Sequence, residues 1–315
     1  MSSTQMTHVR SLEGISLPES WLTIGVFDGV HRGHQEIVRR LVAGARSAGI
    51  PSVVLTFWPH PAKVLGDSRV RCLTTADERA ALLSDMGVDT VITYHFDAAT
   101  ASTSAQDFVA VLHQKLGFRR LLIGYDFALG KGREGNAARL AEIGRLLNYE
   151  VEVVPALSDE SGVISSTEIR KLVATGDVAA AAGLLGHAYS LEGPVVAGDG
   201  RGRELGFPTA NIDYPEEKIL PANGIYACWA WLHGARHAAA VNVGVRPQFH
   251  PDAHKPLVEA HVLDFQQQLY GMQVRLDFVE RLRDEMRFPS VAYLVEQIER
   301  DVQQTRQLLA PQASA

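Results

Sequence analysis

A short apolar run, Trp21, Leu22, Ile24 and Val26, breaks at Phe27, Asp28 and Gly29 and then enters a helical pattern that carries His31 and His34. A strand that empties into a helix start is the repeating unit of an α/β sheet, and its junction suits a phosphate. The first N–H groups of the helix are unpaired there, and the positive end of its dipole faces the same way. His31 and His34, with Gly33 between them, add ring nitrogens on one side of that turn. From spacing alone two other readings stay open: solvation or capping of a first helical turn, and a zinc site with a nearby Asp. Zinc needs further ligands, yet Cys72 and Cys228 are isolated and there is no HExxH helix.

The first half keeps alternating. Strands are expected at Trp21 to Val26, Ser52 to Phe57, Val88 to Tyr94, Arg119 to Ile123 and Tyr149 to Val154. Helices are expected near Gln35 to Ala48, Ala76 to Met86, Ala105 to Leu116 and Ala137 to Leu147. That order implies a doubly wound parallel sheet with ligands beyond the strands' carboxyl ends, where Asp28, His31 and His34 fall. Past Thr175 the texture changes, and a junction near Gly186 divides the chain into domains 1–186 and 187–315. Beyond it, closely spaced strand patterns imply an antiparallel β-barrel: Ser190 to Val196, Gly224 to Leu232, Ala238 to Val243, Leu257 to Phe265 and Gln273 to Val279. A helix from Ser290 to Leu309 closes the chain, with Val291, Leu294, Val295, Ile298, Val302 and Leu309 as its apolar stripe.

The 315 residues suffice for two cores, and 46% hydrophobic with 21% charged residues is the balance of a globular protein. A net charge of -6 argues against a nucleic-acid partner, which needs a basic face. The N-terminal stretch reads neither as a signal nor as an anchor, and no apolar run suits a membrane helix. Two separate cysteines fit a reducing compartment, so no membrane association and a cytoplasmic address are expected. No obligatory protein partner is evident.

Further segments carry chemistry. Ile123 to Gly135 supplies Asp126, Lys131 and Arg133 among glycines that let backbone approach a ligand, though the same composition makes an ordinary loop. Ile164 to Val173 has Ser165 and Glu168 at capping-box spacing. Its Ser166, Thr167 and Arg170 offer hydroxyl and guanidinium contacts to a triphosphate. In Thr56 to Pro61, Phe57 or Trp58 offers a stacking face to a flat ligand, or simply packs a corner. Glycines 198, 200, 202 and 206 let N–H groups wrap phosphate. Thr209 and Asn211, two apart on one face of an extended segment, offer oxygens to a hard cation such as Mg2+. Glu259 lies inside an apolar strand pattern, either exposed on one face or acting as a general base toward a hydroxyl that attacks ATP.

These segments resemble the bacterial bifunctional riboflavin kinase/FAD synthetase family across nearly the whole chain. TIGVFDGVHRGHQ, TFWPHP, IGYDFALGKGREG and ISSTEIR carry the likeness in the first half. LGFPTANI, PANGIYA, VNVGVRP, VEAHVLDF, LYG and FVERLRDEMRFPS carry it in the second. The resemblance implies an HxGH nucleotidylyltransferase-like domain that joins FMN to the AMP part of ATP, releasing pyrophosphate, and a barrel that phosphorylates riboflavin to FMN. ATP is the co-substrate of both steps, and FMN and FAD are the products. It implies His31 and His34 as catalytic contacts to ATP phosphates, helped by Gly25, Phe27, Asp28, Ser166, Thr167 and Arg170. For the barrel it implies Gly198, Gly200, Gly206 and Thr209 at ATP, Thr209 and Asn211 at Mg2+, and Glu259 as base. Phe57, His60 and Asp126 stand at the flavin. The chain departs from the family pattern at Trp58, Gln248 and Gln266 to Gln268. Rival readings are a catalytically silent flavin-binding module, a metal hydrolase built on His31 and His34, and an adenylyltransferase for another phosphate.

Overall fold

The computed structural model describes residues 7–160, 162–198, 200–244 and 256–310. Packing divides the chain into two compact units, Met1–Ser166 and Thr167–Ala315. The first holds strands β1 (Thr7–Val9), β2 (Ser20–Ile24), β3 (Ser52–Trp58), β4 (Thr90–His95), β5 (Phe118–Gly124) and β6 (Glu150–Val154), in the order β1-β4-β3-β2-β5-β6. Every pairing is parallel. Between the strands run helices α1 (Arg32–Ala48), α2 (Pro61–Val64), α3 (Ala76–Asp85), α4 (Ala98–Ser102), α5 (Ala105–Leu116) and α6 (Ala137–Leu147). A small hairpin, β7 (Ser158–Asp159) and β8 (Gly162–Val163), follows.

Two cores explain why this sheet is wound on both sides. Val38, Leu41 and Leu83 meet Val54 and Leu122 in one, while Phe108, Leu112 and Leu140 meet Leu55 and Leu121 in the other. Adjacent strand residues thus point to opposite buried faces, which is why β3 is buried at nearly every position. Helix starts are fixed by side chains: Thr75 and Glu78 form a capping box on α3, Ser104 caps α5 and Asn136 caps α6. Strand β2 pairs with β3 on one side and β5 on the other, so the winding reverses there. A crevice opens at such a point, beyond the carboxyl ends of the strands.

In the second unit α7 (Ser166–Thr175, its first residue in the first unit) and α8 (Val178–Leu185) precede the strands. Strands β9 (Tyr189–Val196), β10 (Ala210–Ile212), β11 (Gly224–Leu232), β12 (Ala235–Gly244), β13 (Leu257–Val262) and β14 (Gln273–Arg283) close an antiparallel barrel in the order β10-β13-β12-β11-β14-β9. One helical turn, α9 (Arg201–Glu204), sits between β9 and β10, and α10 (Val291–Leu308) ends the described chain. The compact units divide after Ser166, earlier than the composition change near Gly186, because α8 packs on β14 and β9.

The stripe expected on α10 needs correction only at its start, since Leu294, Val295, Ile298 and Val302 are half-buried and Leu309 is buried. Val291 is exposed, and the most buried side chains of the helix are Asp301 and Thr305. Asp301 receives both arms of Arg283 at 2.9 and 2.6 Å as well as Gln297, and the Thr305 hydroxyl donates to the Asp301 carbonyl at 2.8 Å. A bidentate ion pair, together with that stripe, seats this helix.

Candidate functional site

Beyond β2 the chain makes a sharp turn. The Gly25 N–H donates to the Leu55 carbonyl at 3.0 Å, and Phe27 and Val30 both adopt left-handed backbone, with φ of 49° and 41°. Such conformations cost ~1–3 kcal/mol each for non-glycine residues, so something must impose them. Both side chains are buried against Ile37, Val38 and Leu41. Asp28 supplies the rest: its carboxylate accepts from the Leu73 N–H at 2.9 Å and the Thr74 N–H at 3.0 Å, and from the Thr74 hydroxyl at 3.2 Å. Behind it lies Arg79, fully buried, 4.0 Å from the Asp28 carboxylate and donating to Thr56 Oγ1 at 2.8 Å and the Phe57 carbonyl at 3.2 Å. The Asp28 side chain, expected at ATP, is therefore turned inward and acts as the anchor of the turn.

His31 is the N-cap of α1, its Nδ1 accepting from the His34 N–H at 3.4 Å. Accepting there leaves the neutral ring with its proton on Nε2. The two imidazoles stack with centroids 3.6 Å apart, and His34 meets the Phe27 ring edge-on at 5.1 Å. Burial, with His31 and Arg79 adding to it, holds His34 well below the ordinary histidine range, so it is neutral at pH 7. Its Nδ1 is buried without a hydrogen-bond partner. Ser166 closes the turn from the other side, its hydroxyl donating to the Asp28 carbonyl at 2.9 Å. Thus Gly25, Phe27, His31, His34 and Ser166 converge, whereas Thr167 and Arg170 continue along α7 in the second unit.

Asp126 follows β5, the strand beside β2, and is exposed at the same end of the sheet. Its carbonyl accepts from Arg133 at 3.1 Å within a loop tied down by Lys131 N–H to Thr103 and Glu134 to the Ala105 N–H. Phe57 requires correction: its ring is buried among Tyr94, Phe96 and Phe108 and presents no stacking face. His60 caps α2, its Nδ1 accepting from the Ala62 N–H at 3.1 Å.

The barrel gathers a second group. Alternation along β13 buries Val258, Ala260 and Val262 and turns Glu259 to the outer face. Across the ladder Glu259 stands directly opposite Asn211 on β10 and Asn242 on β12, making a row of two amides around a carboxylate. Gly198 packs so tightly on the Asn211 amide that a Cβ would collide with it, which explains a glycine there. Gly200 and Gly206 lie at turns around α9. Thr209, Arg203 and Gln266 to Gln268 line a cavity of about 330 Å³ together with Ala210, Ala260 and Val262, whose side chains alternate with those of the row. Gln248 lies outside the described residues.

Comparison with known proteins follows this two-part geometry. A family model described as FAD synthetase matches residues 15–168, and one described as riboflavin kinase matches residues 185–309. The chain is 35% identical over 293 residues to the bifunctional riboflavin kinase/FMN adenylyltransferase of Listeria monocytogenes, covering 92% of each. The chain belongs to the bifunctional riboflavin kinase/FMN adenylyltransferase family. The protein of that name in Escherichia coli is 35% identical over 283 residues, 89% of this chain and 90% of that one. A crystal structure described as a macrolide-efflux protein from Streptococcus pneumoniae superposes with a TM-score of 0.86 at 32% identity, covering 96% of this chain and 99% of that chain. No helix among the described residues is long and apolar enough to cross a membrane.

Within this bifunctional riboflavin kinase/FMN adenylyltransferase frame, sequence reasoning missed Arg79 and Asn242. Arg79 sits in the helical stretch ADERAALL, where a charge reads as surface. Asn242 had a signal, an amide alternating with Val241 and Val243 in a strand pattern.

Proposed function

We infer that the protein makes FMN and then FAD, with the two chemistries carried by separate residue sets. In the barrel, Glu259 accepts the proton of riboflavin's ribityl hydroxyl. The hydroxyl oxygen bonds to the γ-phosphorus of ATP, the bond from that phosphorus to the β-phosphate oxygen breaks, and ADP leaves. In the parallel-sheet unit, an oxygen of the FMN phosphate bonds to the α-phosphorus of ATP and pyrophosphate leaves. That nucleophile is already ionised, so positioning and charge stabilisation by His31, His34, Ser166 and the start of α1 suffice. The single observation that best supports this is the match to both activities of one family, over 15–168, which contains His31, His34, Ser166 and Thr167, and over 185–309, which contains Thr209, Asn211 and Glu259. We assign residues 1–186 to adenylyl transfer, so that α7 with Thr167 and Arg170 belongs to that step, and 187–315 to phosphorylation.

Mg2+ is the cation whose chemistry fits the barrel residues. Thr209 and Asn211 offer hard oxygens on one face, and the close approach of Gly198 fixes the Asn211 amide. Among the described residues no cluster of His, Cys, Asp and Glu could enclose a metal. Mg2+ needs no such enclosure, since it is held by one or two protein oxygens together with phosphates. When bound it would neutralise charge on the transferring phosphoryl group. The cytoplasm is the compartment we assign, consistent with Cys72 and Cys228, both buried and neither in a disulfide.

The test is to incubate the protein with riboflavin and ATP, with and without Mg2+, and separate the flavins over time. FMN should appear first and FAD after it, both requiring the cation. Riboflavin bound but unconverted would instead identify a silent flavin-binding module.

A further inference from the structure

Asn242 is the cross-strand partner of Glu259, and both side chains stand on the outer face of the barrel because Val241, Val243, Val258 and Ala260 fill the inside. Its Oδ1 is closed to water and has no hydrogen-bond donor. A buried acceptor left in that state costs free energy, and a fold can keep it where a ligand supplies the donor. Two residues further along the same face, Gly244 leaves room for the Glu285 carboxylate, which a Cβ there would strike. Glu285 is exposed and accepts from Asn223 Nδ2 at 3.2 Å. Partial burial of the carboxyl pushes it up, with the charge of Glu259 adding to this and Asn223 and Arg283 opposing it. A neutral amide between them offers an acceptor without adding a third negative charge opposite an incoming phosphate.

We propose that Asn242 is a specificity-determining residue of the kinase reaction, its Oδ1 accepting a hydrogen bond from the hydroxyl next to the one that is phosphorylated. The occupant is thus a chain of adjacent hydroxyls, with one hydroxyl at Glu259 and its neighbour at Asn242. The chain enters by displacing the Glu285 carboxylate from over β12. This rests on the reading of Glu259 as the base at that face. Asn242 makes no proton transfer of its own.

The test compares riboflavin with an analogue lacking the hydroxyl adjacent to the phosphorylated one, in the full-length protein and in Asn242→Leu and Asn242→Ser. The unaltered protein should lose about 10- to 100-fold in kcat/KM on the analogue, the scale of stranding a buried acceptor. Asn242→Leu should lose a similar factor on riboflavin and then treat the two substrates within about twofold of each other, while Asn242→Ser, which keeps an acceptor oxygen, should recover part of the discrimination. A merely structural role would lower both substrates alike in Asn242→Leu, and that result overturns the proposal. So does an unaltered protein indifferent to the missing hydroxyl, a result that needs no variant to fold. The discrimination ratio is read independently of Glu259→Gln, so an error in the base assignment shows as an active Gln variant with the ratio intact.

Discussion

Removing the Asp28 carboxylate should unlock the turn that follows β2 while sparing the barrel. In Asp28→Ala the Leu73 and Thr74 N–H groups each lose a buried acceptor, worth ~1–3 kcal/mol apiece. Arg79 loses the charge 4.0 Å away, and breaking a buried pair costs ~3–5 kcal/mol. These contributions overlap, so ~4–6 kcal/mol is expected in sum, a large share of the ~5–15 kcal/mol that holds an ordinary domain together. Asp28→Asn keeps one oxygen for the two N–H groups and removes only the charge, so it should cost about half as much. Adding Arg79→Leu to Asp28→Ala removes the stranded guanidinium, and the pair should cost at least ~1 kcal/mol less than the sum of the single changes. Amide exchange measured on peptides spanning 27–34 and 71–79 reads the local opening, and FAD formation from supplied FMN reads its consequence. Riboflavin phosphorylation serves as the internal control. Unchanged exchange at 71–79 in Asp28→Ala, or strictly additive costs with Arg79→Leu, would refute the anchoring argument.

The remaining expectations concern stability. His34 is neutral in the folded protein and regains an ordinary value near 6.5 on unfolding, so the unfolded chain binds the extra proton. The first unit should therefore hold its full stability above about pH 6.5 and lose it as pH falls below that value; His34→Gln should flatten the slope in thermal midpoints taken across that range. Phe57→Ala should destabilise the first unit by ~3–5 kcal/mol, because its ring is core. An Ala variant that unfolds normally but binds FMN poorly would return it to the flavin site. Asp301→Ala strands Arg283 and should cost ~3 kcal/mol or more in urea unfolding of the second unit, whereas Val291→Ala, at an exposed position, should stay within ~0.5 kcal/mol.

Much of this was legible from residues alone, and the losses have physical causes. The main strands and helices of the first unit followed from periodicity, and α5 and α6 matched end to end because Ser104 and Asn136 cap them and Gly117 and Asn148 stop them. Strands β1 and β10 escaped notice since three residues carry no period; each exists through its ladder neighbours. Phe57 was misread because a strand buried on both faces is apolar throughout, and its aromatic residue needs no ligand to be there. Asp28 and Arg79 lie far apart in sequence, and nothing local in either segment announces that they meet. On α10 the apolar stripe is half-buried as its period implies, but the burial of Asp301 depends on Arg283 from a different element and had no local signal. By contrast His31, Asn211 and Glu259 stand out in the sequence because each breaks the local pattern it sits in, and the structure puts His31 at the start of α1 and Glu259 opposite Asn211.

If one chain runs two reactions on two residue sets, a crossed pair of variants must separate them. Flavin products would be separated over time for Glu259→Gln and for the double variant His31→Ala with His34→Ala, each supplied with riboflavin or with FMN in Mg2+ and ATP. Glu259→Gln should lose FMN formation by about 10²- to 10⁴-fold yet convert supplied FMN to FAD normally. The histidine variant should do the reverse, losing FAD formation by about 10²-fold or more while making FMN at close to the original rate. If either folded variant lost both activities together, or kept the one assigned to its residues, the division of chemistry between these two sites would be wrong.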